Sequence, residues 1–181
     1  LCLTNPEIIK DIHRMYLNAG ADIIETNTFN AQRISMKDYR LEDICRDINL
    51  AACKIAREIA DEYTSKTPDK PRFVAGSIGP TSKTCSISSD TTQPGWETFS
   101  FDNLKKAYLE QAEALLEGGV DAFIIETIFD TLNAKAAIDS VRTAIRKSGK
   151  NVPIMLSFTV TGSEGYNMLG QSIEEFIEDI C

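Results

Sequence analysis

Two stretches of the chain decide its fold: Asn18-Ala19-Gly20-Ala21-Asp22-Ile23-Ile24-Glu25-Thr26-Asn27 and Glu117-Gly118-Gly119-Val120-Asp121-Ala122-Phe123-Ile124-Ile125-Glu126. Each runs from the end of an amphipathic segment through a glycine turn and an aspartate into an apolar, β-rich run. Helix, glycine stop, Asp, strand is one αβ corner, and its recurrence marks a repeated unit. The two aspartates then sit at strand N-termini, the face of a barrel that serves stability, and both Asp22 and Asp121 read as structural.

Outward from these corners the alternation continues. Residues 21–29, 72–79, 121–129 and 153–160 form near-continuous apolar runs, the pattern of parallel strands buried on both faces. Helices fall between them. Residues 6–19 follow Asn5 as N-cap, with Pro6 in the first turn and Gly20 as the stop. Residues 42–63 carry Ile44, Ile48, Ala51, Ala52, Ile55 and Ile59 on one face. Leu104, Tyr108, Leu115 and Leu116 mark a third helix, and residues 131–147 and 172–180 give two more. A helix followed by four strand–helix units predicts a parallel sheet with helices outside it, an α/β chain with the order of a (β/α)-barrel.

The 181 residues suit one domain and a core of useful size. A hydrophobic share of 43% with 25% charged residues is the profile of a soluble globular chain. The net charge of -8 disfavours nucleic acid and anionic membrane as partners. No apolar run reaches the roughly 18 residues of a membrane span, and no signal peptide is visible. The five cysteines, Cys2, Cys45, Cys53, Cys85 and Cys181, form no Cys-x-x-Cys pair. On one helix Cys45 and Cys53 stand roughly 12 Å apart along the axis, too far for a disulfide. An odd number of unpaired thiols indicates a reducing, cytoplasmic compartment. The start without Met and the abrupt Cys181 end suggest a single incomplete domain over 1–181.

Chemistry is expected on the loops that follow strands, residues 81–100 and 161–170, because barrel enzymes place their sites there. Asn27 lies five residues past Asp22, and Glu126 five past Asp121. Equal offsets give equal facing, so both point inward near the strand ends. Glu25 shares the face of Asn27 but lies deeper. A carboxylate and an amide there suit a small ligand bearing an ammonium group. Gly76-Ser77-Ile78-Gly79-Pro80-Thr81 ends the second run, and Gly79 with free N–H groups suits a carboxylate. Ser157 and Thr159 close the fourth run, where small hydroxyl residues either pack or line a pocket. The single histidine, His13, reads as a surface residue, Cys85 as an ordinary thiol and Trp96 as a loop anchor. No Walker loop or Gly-x-Gly-x-x-Gly occurs.

Three runs carry a resemblance. Gly20-Ala21-Asp22-Ile23-Ile24-Glu25-Thr26-Asn27-Thr28-Phe29-Asn30 resembles the second strand of the homocysteine S-methyltransferase family. Val74-Ala75-Gly76-Ser77-Ile78-Gly79-Pro80-Thr81, with Ser86-Ile87-Ser88 after it, resembles the third. Ile125-Glu126-Thr127-Ile128-Phe129-Asp130-Thr131-Leu132-Asn133-Ala134-Lys135-Ala136-Ala137 resembles the fourth. The Ser-Ile-Ser loop and the Phe-Asp-Thr-Leu-Asn-Ala-Lys run are closer to the cobalamin-dependent methionine synthase branch than to the betaine or S-methylmethionine branches.

The resemblance implies a (β/α)₈ TIM barrel, of which this chain supplies about strands two to five, truncated at both ends. It implies homocysteine as substrate, with Glu126 holding its amino group, and a zinc ion that binds the sulfur. It places cobalamin, the methyl carrier, on another module, with a folate module in the same full-length chain. The family's zinc ligands are one cysteine after the sixth strand and a Gly-Gly-Cys-Cys-Gly run, both expected beyond residue 181, so no metal role passes to Cys181. On that basis 181 residues fall short of the roughly 250 of a whole barrel. Weak folding and no turnover are expected of the piece alone. A small-donor methyltransferase and a non-catalytic scaffold are the competing readings.

Overall fold

The computed structural model describes residues 1–83, 100–161 and 165–180. Each of the four apolar runs becomes a strand inside its expected range: β1 (Ile23–Glu25), β2 (Phe73–Ile78), β3 (Ala122–Ile128) and β4 (Ile154–Phe158). They lie in the order β1-β2-β3-β4, and every pairing is parallel. β1 stops early because the chain turns at once: the Thr28 amide donates to Thr26 O at 2.9 Å and the Ala31 amide to Thr28 O at 2.8 Å.

The helices are α1 (Pro6–Asn18), α2 (Arg33–Lys37), α3 (Cys45–Lys66), α4 (Phe101–Glu117), α5 (Thr131–Ser148) and α6 (Ile173–Ile180). Their ends follow capping chemistry. Ser100 and Asp130 accept from the amides of Asn103 and Asn133 at the starts of α4 and α5, at 3.2 and 3.0 Å. Gly149 ends α5 at φ 68, a left-handed conformation that glycine adopts without strain. Asn5 holds the N-cap position of α1 but its side chain makes no capping bond, so Pro6 in the first turn carries that start. The helix expected over 42–63 opens as a 3-10 turn (Glu42–Ile44) before α3. Of the expected face Ala52, Ile55 and Ile59 are buried, Ile44, Ile48 and Ala51 are only partly so, and Cys45, Asn49, Cys53, Ala56 and Ala60 join the buried side. α2 was not expected.

The core lies between the sheet and the helices. Ile24, Val74, Ile78, Phe123, Ile125 and Ile128 meet Leu104, Tyr108, Leu115, Val141 and Phe176 in one buried cluster. Each fully buried aliphatic or phenyl side chain there contributes about 1.5–3 kcal/mol. Small residues let the helices approach. A Cβ on Gly118 would meet Cys53 Cβ at 2.4 Å, so the α3–α4 contact requires glycine at that corner. On the opposite face of the sheet, Ile23 and Phe73 stay 46% and 43% exposed.

Both corner aspartates make structural contacts, and Asp121 holds the sheet directly. Asp121 Oδ2 accepts from the Val74 amide at 2.8 Å and pairs with Arg57 of α3 at 2.5 Å. Asp22 pairs with Lys70 at 2.9 Å. His13, expected at the surface, is instead 6% exposed on the Ile9, His13, Leu17 row of α1. A spacing of four puts all three on one face, and that face is the one that packs. Among the described residues Cys2, Cys45 and Cys53 are free and buried. No helix among them is long and apolar enough to cross a membrane.

Candidate functional site

Parallel pairing aligns side-chain directions across strands, so register decides what shares a face. Ser77 pairs with Ile124, and Ile124 with Met155. Glu126, two residues past Ile124, therefore faces with Ser77, and Ser157 and Thr159 follow Met155 on that side. On β1, Ile24 is buried toward the helices, which turns Glu25 to the opposite face, while Asn27 lies past the strand in the turn that begins at Thr26. Glu25, Ser77, Glu126, Ser157 and Thr159 thus share one face at or near the C-terminal ends of the strands, and Asn27 lies in the turn just past β1.

The centre of this group is Glu126. Ser77 Oγ donates to its Oε1 at 2.5 Å. A carboxylate accepts at both oxygens, so most of its acceptor capacity remains for a ligand. Glu25 belongs to the same electrostatic neighbourhood: burial first, and then the charge of Glu126, push its carboxyl above the ordinary range. Asn27 Oδ1 accepts from the Cys2 thiol at 3.1 Å, which ties the N-terminal segment to the end of β1.

The backbone beside Glu126 is irregular. Ile125 pairs with Leu156 but Ile128 with Phe158, so three steps on β3 match two on β4. This is a β-bulge. Thr127 lies within it at φ 58, a left-handed conformation rare for a β-branched residue.

Gly79 does not offer what the sequence suggested. Its N–H donates to Phe29 O at 3.0 Å and its carbonyl accepts from Tyr108 Oη at 3.1 Å. A Cβ there would stand 2.7 Å from the Phe29 ring. The group that approaches Gly79 is therefore Phe29, and its amide is already committed. The Ser77 amide is committed too, to Thr26 Oγ1 at 3.1 Å.

Behind the face lies a buried polar network that sequence reasoning missed. Thr28 Oγ1 donates to Ser77 O at 2.7 Å, and Gln111 Nε2 to Thr28 O at 2.7 Å. Tyr108 Oη bonds Asn133 Oδ1, and Asn133 Nδ2 donates to Thr81 Oγ1 at 2.8 Å. These bonds clamp the ends of β1 and β2 to α4 and α5. The available signal was the count of polar residues inside amphipathic runs, since each such group needs a partner once buried.

Zinc chemistry is not built from these residues. Among the described residues no group of three or more His, Cys, Asp or Glu could hold a metal ion. Burial pushes the Cys45 and Cys53 thiols up to about 11 and about 12, away from the thiolate that zinc requires. Cys85, Ser86, Ile87, Ser88, Trp96 and Cys181 lie outside the described residues.

Among solved structures, the metallated form of the homocysteine methyltransferase MmuM from Escherichia coli is similar to this chain. Its TM-score is 0.78 at 22% identity, over 98% of this chain and 60% of that one. The apo form of the same enzyme gives 0.71 at 21%, over 97% and 57%. The chain thus spans about 60% of the length of the first of these. The shared fold is that of the homocysteine methyltransferase barrel, of which the four-stranded parallel sheet with its outer helices forms a part. The family model described as homocysteine S-methyltransferase matches residues 1–181, and the chain belongs to that family.

Proposed function

We propose that this chain supplies the homocysteine-binding face of a methyltransferase that moves a methyl group from methylcobalamin to homocysteine and yields methionine. The observation that carries the proposal is the placement of Glu126, on the open face of the sheet, at the strand ends, with its carboxylate held by Ser77. An ammonium donates three N–H groups and needs a charged acceptor once it leaves water. Glu126 is that acceptor. Glu25 adds negative potential to the same face, while Asn27, Ser157 and Thr159 offer neutral polar contacts around it. Gly79 shapes the floor through Phe29 rather than binding the ligand.

The chain's own part is to bind and orient the amino acid. Orientation matters because methyl transfer to sulfur needs the sulfur in line with the carbon it attacks, and fixing the amino end restricts where the sulfur goes. The described residues do not fit zinc, so no step is assigned to a metal here. The cobalamin assignment is supported by the Phe129-to-Lys135 and Ser86-Ile87-Ser88 runs, and cobalamin and folate modules are the partners it proposes. Buried free thiols support a cytoplasmic setting.

The test is a methyl-transfer assay on the full-length protein with homocysteine and one donor at a time. Methionine formed from methylcobalamin, and not from betaine or S-methylmethionine, is the expected result. Turnover with a small donor alone would move the protein to the other branch. Binding of neither homocysteine nor donor would leave a scaffold.

A further inference from the structure

We infer that Ser77 is the positioning residue for Glu126: it holds the carboxylate at the angle from which it meets the ammonium of the ligand. This rests on the reading of Glu126 as the ammonium partner. Ser77 is 2% exposed, and its main chain is held by the two threonines just past β1. Its amide donates to Thr26 Oγ1 at 3.1 Å and its carbonyl accepts from Thr28 Oγ1 at 2.7 Å, while the two threonine hydroxyls bond each other at 2.7 Å. The Ser77 hydroxyl therefore starts from a rigid point. From there it donates to one oxygen of Glu126 and leaves the remaining acceptor sites open.

The bulge acts with it. Ile125 and Ile128 both enter the helix-side core, at 3% and 4% exposure. In a regular strand, residues three apart face opposite ways. Glu126 follows Ile125 and faces the open side by ordinary alternation, and the extra residue at Thr127 rephases β3 so that Ile128 returns to the core. A glutamate so placed but untethered would sample many rotamers and lose them on binding. A glutamate already bonded to Ser77 has given up that freedom before the ligand arrives, which is how preorganisation raises affinity.

A purely structural Ser77, bonded only to satisfy a buried hydroxyl, predicts a different outcome from a positioning one. The experiment is a double-mutant cycle on homocysteine affinity, measured by calorimetry on the full-length protein, with thermal melts to establish folding. Ser77→Ala is expected to weaken binding about three- to tenfold, the range of one net hydrogen bond. Ser77→Cys, which keeps a weak donor, should fall between. In a Glu126→Ala background Ser77→Ala should cost nothing further, because the group it serves is gone. Full affinity in a folded Ser77→Ala protein, beside a weakened Glu126→Gln protein, overturns the role of Ser77 and leaves Glu126 standing. Losses that simply multiply in the double variant overturn it as well. Full affinity in Glu126→Gln overturns both.

Discussion

Glu25 and Glu126 put two carboxyls on one face of the sheet, and Glu25 carries the consequence: burial, then the negative charge of Glu126, raises its pKa in the folded protein. A raised carboxyl pKa means the folded state holds its proton more tightly than the unfolded one. The stability this provides is complete below the unfolded value of about 4.3 and is lost as pH rises through the folded value. Ionised Glu25 therefore weakens the fold at neutral pH. Glu25→Gln should raise the melting temperature at pH 7, and the gain should shrink as pH falls toward 4. Melts across that range check it; a gain independent of pH would mean that the charge of Glu25 is not the cause.

The two corner aspartates look alike in sequence but should differ in worth. Asp121 accepts from the amide of Val74, which is itself buried, and pairs with Arg57. Asp121→Ala should cost about 1–3 kcal/mol, because it strands a buried N–H. Asp22 makes an exposed pair with Lys70, so Asp22→Ala should cost less than about 0.5 kcal/mol. Urea midpoints of the two variants decide this, and equal losses would show that the amide contact carries no weight.

His13 gives the fold an acid limit. Its Nε2 is buried without a hydrogen-bond partner among the described residues, and burial lowers its pKa below the usual value. The folded state thus favours the neutral ring. The stability this contributes is complete above about pH 6.5 and falls as pH drops below it. His13→Leu should flatten the acid side of the stability profile below pH 6.5 with little effect at pH 8. An unchanged acid slope in that variant would place the sensitivity elsewhere.

The strands were legible because buried parallel strands have apolar runs of the right length, and the facing of Glu25 and Glu126 follows side-chain alternation, whereas Asn27 falls in the turn past β1. What escaped depended on partners far along the chain. Phe29 claims Gly79, a contact across fifty residues that no local pattern encodes. Ser77 resembled any small strand residue until Glu126 appeared beside it. The bulge at Thr127 arises from matching β3 to β4, and α2 is too short to show a helical period. His13 was misplaced for another reason: α1 also carries Ile8, Ile12, Met15 and Tyr16 on a face that stays exposed, so its apolar pattern does not single out the buried side.

The central claim is that Glu126 receives the ammonium of homocysteine, and affinity measures it most directly. Glu126→Gln keeps the shape and removes the charge. A charge-assisted hydrogen bond contributes roughly 1.5–3 kcal/mol, so the full-length variant should bind homocysteine about ten- to a hundredfold more weakly. Metal content should match the parent protein, since Glu126 belongs to no ligand cluster among the described residues. Calorimetric titration of homocysteine into parent and variant, with metal assayed beside it, gives both numbers. A ten- to hundredfold loss at equal metal content is the predicted result. Equal affinity in a folded variant would contradict the account.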